Sequence, residues 1–202
     1  LQQSAKLQRG DRIAIMLPNV LQYPIALFGA LRAGLTIVNT NPLYTARELE
    51  HQLVDSGAKA IVILENFAHT LADVIEHTNL EHVIVTGVGD QLGWPKSSIV
   101  NLVVRHVRKQ VPRYELPDAS RFNAVLEQGR FLPFEPVTTT HDDIAFLQYT
   151  GGTTGVAKGA MLTHRNMVAN VLQAGAWLGS GSKLGEDTVI TPLPLYHIFA
   201  LT

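Results

Sequence analysis

Residues 12–40 read RIAIMLPNVLQYPIALFGALRAGLTIVNT, and the fold follows from how this stretch divides. RIAIML (12–17) is a short β-branched run, Leu21 to Ala33 carries apolar residues at helical spacing, and LTIVNT (35–40) is a second β-branched run. Apolar content alone would allow a different reading, since VLQYPIALFGALRAGLTIV (20–38) nearly reaches the length of a bilayer span. Gln22, Pro24 and Arg32 interrupt it, so a buried helix followed by a strand is the better reading. Strand, helix, strand in close succession implies a right-handed crossover and a parallel sheet covered by helices.

The same alternation continues. A helix is expected over TARELEHQLVDSG (45–57), with Thr45 as N-cap, Glu48 completing a capping box and Gly57 as its stop. The strand AIVIL (60–64), a helix near 67–77 and the strand HVIVT (82–86) follow. From Gly87 to about Pro136 the pattern loosens under five prolines, Pro95, Pro112, Pro117, Pro133 and Pro136. DIAFLQYT (143–150) then reads as a strand, GAMLT (159–163) as a short strand, HRNMVANVLQAGAWL (164–178) as a helix begun by Thr163, and DTVITPLP (187–194) as a further strand. The expected class is α/β, with two parallel-sheet αβ subdomain units. The first spans 1–136 with an irregular, partly helical insertion near 87–136, and the second starts at 137–202.

Composition narrows the function classes. Charged residues make up 16% of the 202 residues and apolar ones 46%, against about 25% charged in an average domain, which suggests surface meant for further protein. The chain opens at Leu1 without Met and stops within IFALT, so it reads as a fragment. A net charge of −1 offers no basic excess for nucleic acid. The absence of cysteine excludes disulfides, thiolate metal sites and cysteine nucleophiles within the chain. The redox compartment stays open, with cytoplasm the default expectation.

The chemistry concentrates in YTGGTTGVAKGAMLTH, residues 149–164, which holds four glycines, four threonines and one lysine. It does not fit the Walker A pattern, because Lys158 follows Ala157 and no Gly-Lys pair occurs anywhere. Gly151, Gly152 and Gly155 lack Cβ atoms, so their N–H groups can approach a polyphosphate. Thr150, Thr153 and Thr154 add hydroxyls that could also face Mg2+, which favours oxygen ligands. Lys158 supplies charge, on the order of 4 kcal/mol at 4 Å from a phosphate oxygen in a medium of effective dielectric 20. Composition alone leaves this reading level with a plain connection between strands.

YTGGTTGVAKGAMLTH resembles the signature phosphate loop of the acyl-adenylate-forming enzymes. GDRIAIMLPNVLQYPIALFGALRAG, NTNPLYTARELEHQLVDSGAKAIV and PLPLYHIFAL are similar to segments of the bacterial long-chain-fatty-acid–CoA ligases in particular, in the same order. The resemblance implies the large N-terminal domain of an adenylate-forming enzyme, truncated. It also implies ATP, CoA and a long-chain fatty acid as substrates, with Mg2+. Thr150, Gly151, Gly152, Thr153, Thr154, Gly155 and Lys158 would then contact the ATP phosphates, with Thr153 as Mg2+ ligand, while Tyr196, His197 and Phe199 would border the acyl pocket and the reacting carboxylate. By residue type alone, His197 among apolar neighbours reads as a satisfied core group. A medium-chain or aryl acid CoA ligase and a non-catalytic nucleotide-binding module remain as alternatives.

The family's adenine-binding Tyr-Gly-x-Thr-Glu segment, ribose-binding Asp, hinge and catalytic Lys have no match and are expected after Thr202, so the 202 residues alone are expected to be inactive. SSIVNLVVRHVRKQV (97–111) reads as a helix with Ile99, Val100, Val103, Val104, Val107 and Val111 on one face and Arg105, Arg108 and Lys109 opposite. Packing on its own domain with a solvated charged face is the ordinary reading of such a helix. Peripheral contact with the inner face of a membrane is the other. A homodimer is a further partner compatible with the family.

Overall fold

A computed structural model describes residues 1–150, 157–179, 185–186, 188 and 190–201, apart from the side chains of 178, 199 and 201. Among the described residues seven strands form one sheet in the order β5-β4-β3-β1-β2-β6-β7, with β5 at Ser120–Arg121. β1 (Arg12–Met16), β2 (Thr36–Asn39), β3 (Ala60–Leu64) and β4 (His82–Thr86) pair in parallel. β6 (Ile144–Thr150) lies parallel to β2, and β7 (Lys158–Thr163) runs antiparallel to β6. The strands expected to open a second unit, β6 and β7, are thus hydrogen-bonded into the same sheet as β1–β4.

The central strands are apolar along their length because both faces are covered. Ile13, Ile15, Leu17, Ile37, Val62, Leu64 and Ile84 face α1 (Gln22–Arg32), whose Tyr23, Ala26, Leu27 and Ala30 complete that core. Ala14, Met16, Val38, Ile61, Ile63, Val83 and Val85 face the other way, onto Leu49 and Leu53 of α2 (Ala46–Ser56). Pro24 is tolerated because it falls in the first turn of α1, where the backbone N–H has no intrahelical partner. α2 begins with the expected capping box between Thr45 and Glu48 and ends at Gly57 in the left-handed conformation, φ 61°. α6 (His164–Leu178) starts with Thr163 as N-cap, in a box closed by Asn166.

Three expectations need correction. The helix near 67–77 is three pieces: a 3-10 turn Glu65–Phe67, α3 (Ala68–Ala72) and a 3-10 turn Ile75–His77. The break falls at Val74, which leaves helical geometry at φ −130° with its side chain in the α2-side core. The helix over 97–111 is α4 (Lys96–Leu102) followed by a π-helical turn, Val103–Val107. The extra residue per turn rotates the later side chains, so Val104 is buried, Val107 is 69% exposed, and Arg105 turns inward onto Glu65 with contacts of 2.6–3.0 Å. The irregular segment also contributes β5 (Ser120–Arg121), parallel to β4, and α5 (Phe122–Gly129). Finally, none of the described residues in 187–194 is in a strand; Ile190 is 85% exposed, and the backbone carbonyls of Thr191 and Leu193 are taken by the Asn19 side chain.

Candidate functional site

In a parallel sheet the carboxyl ends of the strands share one edge, where loops diverge and ligands bind. Here that edge carries polar side chains set in otherwise apolar strands. Asn39 closes β2 and Gln148 sits beside it in register on β6. Asn39 Nδ2 donates to Gln148 Oε1 at 3.1 Å, and Gln52 Nε2 of α2 donates to the Asn39 carbonyl at 2.9 Å. All three are buried, where an unpaired amide would cost about 1–3 kcal/mol.

The segment PLPLYHIF is fastened to this edge. Asn19, just past β1, donates from Nδ2 to the carbonyls of Thr191 at 3.2 Å and Leu193 at 2.9 Å. Its Oδ1 accepts the Leu195 N–H at 2.8 Å. Tyr23 is fully buried, with Oη 2.8 Å from both Asn39 Oδ1 and the Leu195 carbonyl; its single proton serves one of them at a time. Burial pushes its phenol well above the ordinary value, so it stays protonated as a donor. Gln148 Nε2 reaches the Tyr196 carbonyl at 3.4 Å. Tyr196 is half-buried against the α1-side core. His197 is exposed, not a core group, and its backbone N–H donates to the Pro194 carbonyl at 2.9 Å. α7 (Ile198–Leu201) follows, with Phe199 in it; the Phe199 side chain lies outside the described residues.

β6 also carries the glycine-rich loop. Gly151, Gly152, Thr153, Thr154 and Gly155 lie outside the described residues. The two described members, Thr150 and Lys158, are cross-strand partners at the ends of β6 and β7, and both are exposed. The loop therefore leaves and re-enters the sheet at one rung. Below that rung Tyr149 faces Gly159, and a Cβ on Gly159 would come 2.9 Å from the Tyr149 ring, so the glycine gives the ring its seat. Burial, then the hydrogen bond to Asp55 Oδ2 at 2.5 Å, raise the Tyr149 phenol above its ordinary value.

The structure thus brings Thr150, Lys158, Tyr196 and His197 to one sheet edge. Reading the sequence missed Asn19, Tyr23, Asn39 and Gln148, which hold them there. The available signal was a side-chain amide inside an apolar run, Asn39 in LTIVNT and Gln148 in IAFLQYT, since buried amides in a core demand partners. Among the described residues no group of three His, Cys, Asp or Glu side chains could hold a metal ion. None of the described helices is long and apolar enough to cross a membrane.

Comparison with known proteins places this arrangement. The family model described as AMP-binding enzyme matches residues 1–202. The chain is 60% identical over 202 residues to the long-chain-fatty-acid–CoA ligase of Yersinia pestis and 58% identical to that of Salmonella typhimurium, covering all of this chain and 36% of each relative. A solved structure of a long-chain-fatty-acid–CoA ligase from Archaeoglobus fulgidus superposes with a TM-score of 0.68 at 29% identity, over 96% of this chain and 33% of that one. The chain spans about a third of the length of the relatives it matches.

Proposed function

Because this chain belongs to the AMP-binding enzyme family, we propose that the full-length protein activates long-chain fatty acids as their CoA thioesters, feeding fatty acid degradation. A carboxylate is a poor electrophile, since attack at its carbonyl would expel oxide. The reaction therefore runs in two steps. A carboxylate oxygen attacks the α-phosphorus of ATP, the bond to the bridging oxygen breaks, and pyrophosphate leaves from acyl-AMP. The CoA thiolate then attacks the acyl carbonyl and AMP departs.

The observation that carries this reading is the Gln148 bridge. Its strand leads in two residues to the glycine-rich loop, while its side chain holds the Tyr196 carbonyl. A polyphosphate loop and a carboxylate-facing segment, 48 residues apart from Gln148 to Tyr196, thereby meet at one edge. In this reading Thr150, Gly151, Gly152, Thr153, Thr154, Gly155 and Lys158 hold the β and γ phosphates in line and offset the charge that builds on the leaving group. Tyr196, His197 and Phe199 border the acyl chain, with His197 orienting the carboxylate. Mg2+ would add charge neutralisation, and Thr153 is its proposed ligand. A cation held largely by phosphates, water and a few protein oxygens suits an edge of hydroxyls and amides without a carboxylate cluster among the described residues. In the full-length protein 137–202 would open the second subdomain, with β6 and β7 joining it to the sheet of the first, and that protein works in the cytoplasm.

The test is pyrophosphate release by the full-length protein with ATP and a panel of acids. Oleate should be the strong substrate; a preference for octanoate or benzoate would move the reading to a medium-chain or aryl ligase, and no acid-dependent release would remove it. Residues 1–202 alone should be inactive. Peripheral membrane contact through 97–111 would fall to the exposed Leu102, Val107, Arg108 and Lys109, since Arg105 is committed to Glu65. Unchanged liposome co-sedimentation of Arg108→Glu/Lys109→Glu would dismiss it.

A further inference from the structure

α2 touches the two stems that flank the glycine-rich loop. His51 and Asp55 lie one turn apart on this helix and so project from the same face. His51 Nε2 is 3.1 Å from the carbonyl of Ala157, the residue directly before Lys158. A carbonyl only accepts, so Nε2 carries the proton. Asp55 Oδ2 accepts the Tyr149 hydroxyl at 2.5 Å, and Tyr149 directly precedes Thr150. The two stems are themselves cross-strand partners, with Thr150 opposite Lys158 and Tyr149 opposite Gly159. His51 and Asp55 of the helix, Tyr149 of β6 and the Ala157 carbonyl just before β7 thus close a frame around the base of the loop.

The frame is stiff at its α2 side. The helix is fixed at its start by the Thr45–Glu48 capping box and at its end by Gly57, and Leu49, Gln52 and Leu53 are buried. Gln52 ties it to β2 through the Asn39 carbonyl, the same strand that binds Gln148. His51 and Asp55 are the polar positions of this helix that reach the loop stems, and neither is needed to fill the core. His51 is half-buried and Asp55 exposed.

We infer that His51, Asp55 and Tyr149 are positioning residues for nucleotide: α2 clamps both stems of the glycine-rich loop, at Tyr149 and at Ala157, and so fixes where the loop leaves and re-enters the sheet. This rests on the proposed acyl-adenylating activity of the same site. A loop whose stems are held loses less conformational freedom on binding, and loosening either stem returns that cost to the nucleotide. The fatty acid and CoA make no demand on these contacts.

The experiment uses the full-length protein, with ATP-pyrophosphate exchange and separate KM values for ATP, oleate and CoA. His51→Ala and Tyr149→Phe each remove one contact and should raise the KM for ATP about three- to tenfold, the scale of one lost hydrogen bond, with the KM values for oleate and CoA unmoved. His51→Gln, which returns an N–H donor, should recover most of the loss, as should Asp55→Asn relative to Asp55→Ala. Should His51→Ala fail to fold, Tyr149→Phe and the Asp55 pair carry the same readout. An unchanged KM for ATP in folded variants would overturn the inference. So would an equal rise in all three KM values with a lowered thermal midpoint, which marks a purely structural role. Absence of acid-dependent exchange in the unmodified protein would instead sink the activity itself and the clamp with it.

Discussion

Tyr23→Phe isolates one atom of the polar network at the sheet edge. The ring is fully buried beneath the edge, and its oxygen lies 2.8 Å from Asn39 Oδ1 and 2.8 Å from the Leu195 carbonyl. Phenylalanine keeps the shape and opens no cavity. What is lost is the link between β2 and the segment around Leu195. A buried group left without its partner costs about 1–3 kcal/mol. Leu195 is half-buried, so water can meet part of its need and the low end applies, about 1–2 kcal/mol, or a factor of about 5–30 in the docking equilibrium of 191–196. Amide hydrogen exchange reads this directly, because the Leu195 N–H is held by Asn19 Oδ1 at 2.8 Å and exchanges only when the segment lifts. Protection at Leu195 should fall by that factor while Val38 and Val62, inside β2 and β3, keep theirs. Unchanged protection at Leu195, or an equal loss at Val38 and Val62, would refute the view that Tyr23 serves to dock this segment.

Two further outcomes follow from the same contacts. Gly159→Ala puts a Cβ 2.9 Å from the Tyr149 ring, whose hydroxyl is tied to Asp55; overpacking of this kind costs about 1–3 kcal/mol, and an unaltered urea midpoint would mean the ring yields freely. Asp11 is paired with Lys59 at 2.8 Å and accepts the Gln8 N–H at 2.8 Å. Burial works against its ionisation, but these partners outweigh it and hold the carboxyl below its ordinary 3.8. A depressed folded value means stability that is present above about pH 4 and lost as pH falls through the folded value. Asp11→Asn should therefore lower the unfolding free energy at neutral pH, with the gap closing as pH falls through the depressed folded value; a gap independent of pH would contradict this origin.

The parts of the fold that could be read ahead are those where local pattern and burial agree. β1, β3 and β4 are apolar runs because helices cover both faces, and α2 announces itself through Thr45, Glu48 and Gly57. Where tertiary contacts override periodicity, reading failed. Val74 breaks a helix to enter the core, the π turn at Val103–Val107 sends Arg105 to a Glu65 that is 40 residues away, and β5 is too short to carry a pattern. Of the site, Thr150, Lys158, Tyr196 and His197 were visible as residue types in motifs. Their neighbours Asn19, Tyr23, Asn39, Gln148, His51 and Asp55 act through long-range hydrogen bonds; a polar residue inside an apolar strand flags Asn39 and Gln148, but nothing local names the partners.

The central claim is that this sheet edge joins a polyphosphate loop to a carboxylate, and the adenylation half-reaction tests it without CoA. ATP-pyrophosphate exchange by the full-length protein should require a long-chain fatty acid. Lys158→Ala should slow it by about a hundredfold or more, as losing a charged contact to a developing leaving group does, with binding of the fatty acid unchanged. Exchange that proceeds without acid, or at full rate in Lys158→Ala, would contradict the account.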